Sequence, residues 1–273
     1  MSNSKEILDR INSVKTMKQI TQTMKLISIS KFTKNKVELE NVRKYKSTLK
    51  NILEECKIEN IDKTTCCKRL LIPISGNRGF CGAFNNNIYK KTIEFLKTIM
   101  IEAVDIISLG KKITSYLKKN GYQVIEDFVN ILEPYNFTNI DKFAEEIVRK
   151  IMNKDYKSVI FIYNSFENAS TTAVKIKEIK NINLGIELGK VLLEPDEKCI
   201  KKILIKKIIK TAILDILLQS NTAENSARMI NMGKASDNAD VLIKNLRILY
   251  NQTRQTAITN EIIEITNGSI LKK

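Results

Sequence analysis

The sequence of 273 residues contains no histidine and no tryptophan. Histidine is the commonest general base in enzymes and the commonest transition-metal ligand, so its absence argues against a catalytic chain and against a bound transition metal. The five cysteines are odd in number and none forms a Cys-x-x-Cys pair, which argues against a structural zinc site or a disulfide framework. We therefore expect reduced, mostly buried thiols, no metal and no cofactor.

Long apolar runs are also missing. No stretch of about 18 uncharged apolar residues occurs, so we expect no membrane-spanning helix. The amino terminus, MSNSKEILDRINSVK, begins directly with charged helical sequence. It has neither the apolar core of a secretory signal nor the Arg-rich, acid-poor character of a transit peptide. We expect a soluble protein of the bacterial cytoplasm.

Glycine and proline, which interrupt regular structure, are scarce and unevenly placed. Residues 1–72 contain neither, whereas all three prolines and seven of the nine glycines lie between 73 and 195. In residues 196–267 the single breaker is Gly233. The sequence therefore predicts three parts: 1–57 as an N-terminal coiled-coil helix, 68–195 as a globular α/β domain, and 196–273 as C-terminal helices that complete the coiled coil.

Apolar residues recur at spacings of three and four in both terminal parts, which predicts helices. The first stripe is Ile7, Ile11, Val14, Met17, Ile20, Met24 and Ile27, and the last comprises Ala223, Ala227, Ile230, Val241, Ile248, Ile262 and Ile265. At about 1.5 Å per residue these helices would be roughly 80 and 65 Å long, so each needs a partner along its length. We expect an antiparallel pair, the second helix starting at a cap formed by Asn221 and Glu224.

The middle part alternates short apolar or β-branched runs with segments of helical spacing. The predicted strands are RLLIPIS, AVDIISLG, YQVIEDF, SVIFIYNS, TTAVKIKEIK and NLGIELGKVLLEP. Helices are predicted at 85–99, 111–120 and 139–153, and residues 196–219 return to helix. Strands alternating with helices indicate an α/β layer, here a Rossmann-like domain with a largely parallel sheet.

The net charge of +16 has two interpretations. A basic chain concentrates near nucleic acid, but a composition rich in Ile, Lys and Asn is also what an AT-biased genome produces. Residues 1–57 carry 13 basic and 6 acidic side chains, and six lysines with no acid lie between Arg10 and Val37. Lys18 and Lys25, one heptad apart, share a helix face that would either contact an acidic partner or face solvent.

A glycine-rich turn, SGNRGFCG at 75–82, directly follows the first predicted strand. Such turns cradle phosphate when their backbone N–H groups converge on it. A P-loop requires Lys and then Ser or Thr after its last glycine, and a dinucleotide fingerprint requires GxGxxG, whereas this turn reads GxxGxxG followed by AFNNN. A tight strand-to-helix turn is favoured, and a nucleotide-binding enzyme is the disfavoured alternative.

Four motifs together resemble the gamma subunit family of F-type rotary ATP synthases. KTMKQITQTMKLISISK at 15–31 is similar to the family's opening helix, and ITNEIIEITNGS at 258–269 to its final pattern. SGNRGFCGAFNNN at 75–87 matches the family's turn through Ser75, Arg78, Gly79, Cys81 and Gly82. AENSARMINMGKASDNA at 223–239 resembles its C-terminal signature through Glu224, Arg228, Met229, Met232 and Asn238. The resemblance covers essentially the whole chain, with departures at Thr23, Asn77, Ala223, Asn225, Ser226 and Ser269.

The resemblance implies a function and its sites. In this family the terminal helices form an antiparallel shaft that turns inside the hexamer of alpha and beta subunits, and the α/β domain lies beside the epsilon subunit and the membrane c-subunit ring. The residues implied to contact the hexamer are Lys18, Met24, Lys25, Arg254, Gln255 and Glu261. The hydroxyls of Thr21, Thr23, Ser28 and Ser30 would keep the shaft surface weakly binding.

The same resemblance implies a non-catalytic chain that binds neither nucleotide nor nucleic acid directly. It would lie peripherally on the cytoplasmic side of a bacterial plasma membrane. The competing interpretation is a basic coiled-coil protein that binds nucleic acid, which would explain the charge of +16. Its weakness is the lack of interleaved aromatic residues on the basic helix, where Phe32 and Tyr45 are isolated.

Overall fold

The structure is a computed structural model of the chain. It describes residues 2–55, 58–60, 68–98, 104–129, 131, 137–153, 155–168, 172–180, 184–186 and 197–270. Two compact units are present. The first, which we call the helical unit, comprises Met1–Ser28 and Met229–Lys273, and the second, the α/β unit, comprises Ile29–Arg228.

Two long helices occupy most of the terminal parts. Helix α1 is Ser2–Glu55 and helix α5 is Glu197–Ile270. The long first helix is therefore confirmed over Ser2–Glu55, and residues 1, 56 and 57 of its predicted range lie outside the described residues. No helix in the described part of the chain is both long and apolar enough to cross a membrane.

The predicted helix start at Asn221 is wrong. Asn221 lies inside α5, is buried, and its carbonyl accepts a hydrogen bond from Asn225 Nδ2 at 2.9 Å. No glycine or proline interrupts residues 196–232, so the helix continues through the capping signal. The two predicted C-terminal helical segments are one helix.

The strands lie in the α/β unit. In chain order they are β1 (Ile58–Asn60), β2 (Arg69–Pro73), β3 (Val104–Leu109), β4 (Glu126–Phe128), β5 (Ser158–Phe166), β6 (Thr172–Lys180) and β7 (Leu184–Ile186). A five-stranded sheet has the order β4-β3-β2-β5-β6, in which β2, β3, β4 and β5 run parallel and β6 is antiparallel to β5. The largely parallel sheet is confirmed.

A second, two-stranded sheet pairs β1 with β7 in antiparallel orientation. The sequence analysis missed β1, which has three residues. Of the predicted strand NLGIELGKVLLEP, only residues 184–186 are among those described, and they form β7.

Helices cover both faces of the five-stranded sheet. They include α2 (Phe84–Thr98), α3 (Lys111–Lys119) and α4 (Phe137–Met152), close to their predicted ranges. Leu71 of β2 shares one core cluster with Ile88 of α2, whereas Leu70 shares another with Ile147 of α4 and Leu217 of α5. Neighbouring residues of β2 thus enter opposite apolar layers, as expected for a parallel sheet buried on both faces.

The helical unit pairs the start of α1 with the end of α5. Lys18 Nζ lies 2.6 Å from Asp240 Oδ1, and a Cβ added to Gly233 would lie 3.7 Å from Lys25 Nζ. Residue numbers therefore rise along α1 as they fall along α5. The predicted antiparallel pair is confirmed in this unit.

The apolar stripe predicted on α1 is only partly buried. Ile11 is 6% exposed, but Met17 and Ile20 are 68% and 51% exposed. The less exposed positions follow a heptad instead, and they include Ile7, Ile11, Val14, Lys18, Thr21 and Ser28. Spacings of three and four fit both faces of the helix, so spacing alone did not identify the face that packs against α5.

Candidate functional site

The glycine-rich turn connects β2 to α2 and is held by hydrogen bonds to its neighbours. Gly76 N donates to Asn85 Oδ1 at 3.0 Å, and Asn85 Nδ2 lies 3.1 Å from Cys81 Sγ. Ser75 N donates to the Leu109 carbonyl at 2.8 Å, and Ser75 Oγ accepts from Ile113 N at 2.9 Å. These bonds fix the turn to α2, β3 and α3, and the strand-to-helix connection predicted from the sequence is confirmed.

Two residues of the turn have left-handed backbone conformations. Gly82 has φ 60°, which glycine adopts at no steric cost. Phe80 has φ 63°, a conformation that is strained for a bulky residue, and its side chain is exposed. Arg78 is exposed as well, while Cys81 is buried. The tip of the turn therefore presents Arg78 and Phe80 outward on a tightly held base.

Helix α5 places a buried ion pair against this turn. Glu224 and Arg228, one helical turn apart, are 2% and 8% exposed, and Arg228 Nη2 donates to Glu224 Oε1. Arg228 Nε also donates to the Gly79 carbonyl at 3.4 Å. A Cβ at residue 76 would overlap the Glu224 carboxylate, so a larger residue there would force this side chain to move away from its position beside the turn. The structure thus brings together residues that the sequence analysis took from two separate motifs.

The Glu224 carboxylate also decides what the turn can bind. Paired with Arg228, it fills the space beside Gly76 that a bound phosphate would need. Burial and, secondarily, the charge of Glu224 raise the pKa of the Cys81 thiol, which keeps it from acting as a reactive thiolate. The turn is suited to packing against α5. The hypothesis that residues 75–82 bind a nucleotide is therefore not supported.

A second ion pair, between the exposed Lys46 and the buried Asp215, joins α1 to α5 within the α/β unit. Lys46 Nζ lies 2.5 Å from Asp215 Oδ2, and the Asp215 side chain is 2% exposed. Gln219 Nε2 donates to Asp215 Oδ1 at 2.8 Å, and Ser165 Oγ of β5 lies 3.1 Å from Gln219 Oε1. This network was not predicted from the sequence, although Asp215 within the apolar run ILDILL was an available signal.

The charges of this network shift its acid–base equilibria. Burial by itself would raise the pKa of Asp215, but hydrogen bonds from Lys46 and Gln219, with the charges of Lys46 and Lys177, lower it overall. Burial and the repulsion of Lys46 lower the pKa of Lys177. Asp215 therefore remains ionised in the interior because cations and a hydrogen-bond donor surround it.

The residues implied to contact a surrounding hexamer all lie in the helical unit. Five of them are exposed: Met24, Lys25, Arg254, Gln255 and Glu261. Lys18 is instead engaged with Asp240 of the same chain. Of the remaining signature residues, Met232 is buried, Met229 is half-buried and Asn238 is exposed.

The hydroxyls expected on the shaft surface are divided between surface and interior. Ser28 is buried and donates to the Met24 carbonyl at 2.7 Å, and Thr21 is half-buried and donates to the Lys18 carbonyl at 2.9 Å. Thr23 and Ser30 are exposed. The expectation for Thr21 and Ser28 is corrected, because the heptad turns these two positions inward.

Large apolar side chains are exposed along both helices of the helical unit. On α1 they include Met17, Ile20, Leu26 and Ile27, and on α5 they include Val241, Ile248, Ile258, Ile262 and Ile265. Isolated exposed apolar residues are ordinary, but large apolar patches on a water-exposed surface mark sites of interaction. This density of apolar residues indicates a surface that another protein covers.

Comparisons with known proteins agree along the whole chain. A family model described as ATP synthase matches residues 3–270. Relatives named ATP synthase gamma chain include those of Amoebophilus asiaticus, 35% identical, and Flavobacterium psychrophilum, 33% identical, each alignment covering 98% of this chain and 98% of the relative.

Solved structures share the fold. A chain of the Euglena gracilis mitochondrial ATP synthase, described as OSCP/F1/c-ring in rotational state 3, has a TM-score of 0.72 at 19% identity and covers 97% of this chain and 93% of its own length. A chain of the Tetrahymena thermophila mitochondrial ATP synthase, described as central stalk/cring, has a TM-score of 0.61 at 24% identity. It covers 80% of this chain and 99% of its own length.

Proposed function

The chain belongs to the ATP synthase gamma chain family, and on this premise we propose that it is the central rotor shaft of an F-type ATP synthase. It is a rotor subunit and not the catalytic subunit. In this proposal residues 1–57 and 196–273 form the coiled-coil shaft, and residues 68–195 form the α/β domain that meets the rest of the rotor.

The observation that carries the proposal is the exposed apolar surface of the helical unit. Side chains such as Met17, Ile20 and Ile262 face outward on helices that already pair with each other, so a further protein surface must cover them. The exposed side chains of Lys25, Arg254 and Glu261 lie among them and supply polar contacts. A shaft enclosed by a ring of subunits needs this combination of apolar and polar groups on several sides.

The mechanism follows from differential contacts. As the shaft turns, each catalytic site of the alpha/beta hexamer meets a different face of the shaft, and the differences in contact free energy bias that site among open, loose and tight states. Strong contacts at one angle would hold the shaft there. Exposed ion pairs, worth about 0.2–1 kcal/mol each, are weak enough to form and break at every step.

The partners proposed for the chain are the alpha and beta subunits, the epsilon subunit and the membrane c-subunit ring. The solved structures of similar fold come from assemblies described as rotor, OSCP/F1/c-ring and central stalk/cring. Membership of the family associates the chain with a membrane-bound complex. We propose a bacterial plasma membrane and its cytoplasmic side as the location.

The test is reconstitution with the alpha and beta subunits of the same genome. We expect the three chains to co-elute as one particle whose Mg-ATPase activity depends on this chain. In that particle the double variant Lys25→Gln/Arg254→Gln should lower ATPase turnover several-fold while leaving the chain in the complex. The matched control is Lys90→Gln/Lys97→Gln on α2, which removes the same charge from exposed positions of the α/β unit.

One result would overturn the rotor proposal, and a second would overturn only the choice of contact residues. The chain would elute alone or with nucleic acid in a strongly salt-dependent manner, or the control variant would lower turnover as much as the helical-unit variant. The first result would revive the nucleic-acid interpretation of the net charge. The second would remove Lys25 and Arg254 from the contact surface.

A further inference from the structure

A cavity of about 440 Å³ lies between α4 and the first part of α5. Four of its lining residues are basic and one is acidic, and Val148 and Ile203 contribute apolar surface; the charged ones are Arg149, Lys206, Lys207, Lys210 and Glu145. Its volume falls in the range of about 300–1,000 Å³ typical of small-molecule sites. The rotor function gives this cavity no role.

Only some of the basic residues that line this cavity have an acidic partner. Lys210 Nζ lies 2.8 Å from Asp141 and 3.0 Å from Glu145, so its charge is balanced by α4. Within the described ranges of the chain, no carboxylate lies at ion-pair distance from Arg149, Lys206 or Lys207. The lining carries four cations and one carboxylate, so it has a net positive charge, and the exposed side chains of Arg149, Lys206 and Lys207 are open to an anion from solvent.

A second cavity, of about 400 Å³, adjoins the first and shares Lys207 and Lys210 with it. Val42 and Tyr45 of α1 and Leu214 of α5 contribute apolar surface there. An anionic group held at the first cavity would therefore have an apolar surface beside it. This arrangement suits a ligand with one charged end and one apolar end.

We propose that the first cavity binds a ligand that carries a phosphate group, held by Arg149, Lys206 and Lys207. The planar guanidinium of Arg149 matches two phosphate oxygens at once, and the lysines add point charges. Two sources have this chemistry: a soluble phosphate ester, and the headgroup of an anionic phospholipid whose chain lies along the second cavity. The proposal does not depend on the rotor assignment, since it uses residues of the α/β unit alone.

The test is isothermal titration calorimetry on the full chain at about 150 mM salt, where surface charges are screened beyond about 8 Å. The probes are inorganic pyrophosphate, glycerol 3-phosphate, and dihexanoylphosphatidylglycerol below its micelle concentration. We expect one site per chain, with at least tenfold weaker binding in Lys206→Gln/Lys207→Gln. The control Lys90→Gln/Lys119→Gln changes two exposed lysines on α2 and α3 and should bind as the unchanged chain does.

The three probes separate the two sources. Tenfold tighter binding of the short-chain lipid than of glycerol 3-phosphate assigns the site to a lipid headgroup, and equal binding assigns it to a soluble ester. No saturable binding of any probe, or equal weakening in the control variant, overturns the proposal. If circular dichroism shows that the double variant does not fold, Arg149→Gln replaces it with the same expected tenfold loss.

Discussion

At the scale of single residues, each of the buried carboxylates Glu224 and Asp215 of the α/β unit has a cationic partner. Glu224 is paired with Arg228 beside the glycine-rich turn, and Asp215 is paired with Lys46 and bonded to Gln219. An unpaired charge in such a position costs several kcal/mol, so removal of one partner is far more damaging than loss of a surface pair. Three predictions follow from these pairs.

The first prediction concerns Glu224→Gln. Glutamine keeps the shape of the side chain but leaves Arg228 buried without a counter-charge. The free energy of unfolding, measured by urea denaturation, should fall by about 3 kcal/mol. Glu261→Gln, at an exposed position of the same helix, should change it by less than about 0.5 kcal/mol. Equal effects of the two substitutions would contradict a stabilising role for the buried pair.

The second prediction compares two glycines of the turn. A methyl group at Gly76 would overlap the Glu224 carboxylate, whereas one at Gly79 would have no atom within 4 Å. Gly76→Ala should therefore lower the free energy of unfolding by about 1–3 kcal/mol, the usual cost of overpacking. Gly79→Ala should be near neutral in the same denaturation experiment. A neutral Gly76→Ala would show that the Glu224 side chain moves away from the methyl group at no measurable cost, and would contradict the prediction.

The third prediction is a pH dependence at Asp215. Its pKa in the native state is lowered from the ordinary value of 3.8, so the native state binds this proton less readily than the unfolded chain does. The stability from this group is therefore complete above pH 3.8 and is lost as the pH falls through the lowered value. Asp215→Asn should be less stable by about 2 kcal/mol at pH 7, with the difference shrinking toward pH 3.

Urea unfolding at pH 7, 5 and 3 measures that difference directly. The control is Asp237→Asn, which removes a carboxylate from an exposed position of α5. Its free energy of unfolding should differ from that of the unchanged chain by the same amount at all three pH values. A gap for Asp215→Asn that stays constant down to pH 3 would mean that the pKa of this carboxyl group is not lowered in the native state. A gap that widens toward pH 3 would mean that burial outweighs the cationic partners.

At the scale of elements, α1 has two apolar faces with different roles. The face that contains Ile11 is buried in the helical unit, and the face that contains Met17 and Ile20 is exposed. The first face stabilises the isolated chain through contact with α5. The second is available to a partner, which explains why a helix with so many hydroxyls and lysines retains so many apolar residues.

The fourth prediction separates these faces. Ile11→Ala removes a buried side chain and should cost about 2 kcal/mol or more, measured by the hydrogen-exchange protection of α1 amides. Ile20→Ala removes the same atoms from an exposed position and should cost less than about 0.5 kcal/mol. If the two variants lose equal protection, the heptad assignment is wrong.

The regular elements were largely predictable because their signals are local. Spacing and glycine placement located α1, α2, α3, α4 and the strands of the large sheet to within a few residues. The capping signal at Asn221 failed because a residue buried between packed elements can continue a helix that its local sequence would start. The Lys46 and Asp215 pair was not predictable from spacing, since 169 residues separate its two members.

At the scale of the whole molecule, a net charge of +16 accompanies exposed apolar side chains on the helical unit. The charge keeps copies of the chain apart at low ionic strength, while the apolar surface draws them together once salt screens the charge. The balance between these two effects is a property of the isolated chain. Partner subunits that cover the apolar surface would remove the attraction between copies of the chain.

The fifth prediction follows from that balance. At about 0.5 M salt, light scattering should give the isolated chain a mass above the 31.2 kDa of one copy. The variant Ile20→Ser/Ile262→Ser/Ile265→Ser changes three exposed residues and should return the mass to one copy without changing the thermal midpoint of unfolding by more than a few degrees. A single-copy mass for the unchanged chain at high salt would contradict the prediction.

The contact between Arg228 and Gly79 spans 149 residues of sequence. During synthesis the turn leaves the ribosome long before α5 has been made, so the space beside Gly76 and the sheet face that α5 covers stay open to water. Only the arrival of this helix closes them. A nascent chain that stalls before Glu224 would display a complete sheet with one face incompletely covered to chaperones and proteases. Because Gly76 packs against the carboxylate of Glu224, the α/β unit can complete its packing only after α5 has been synthesised.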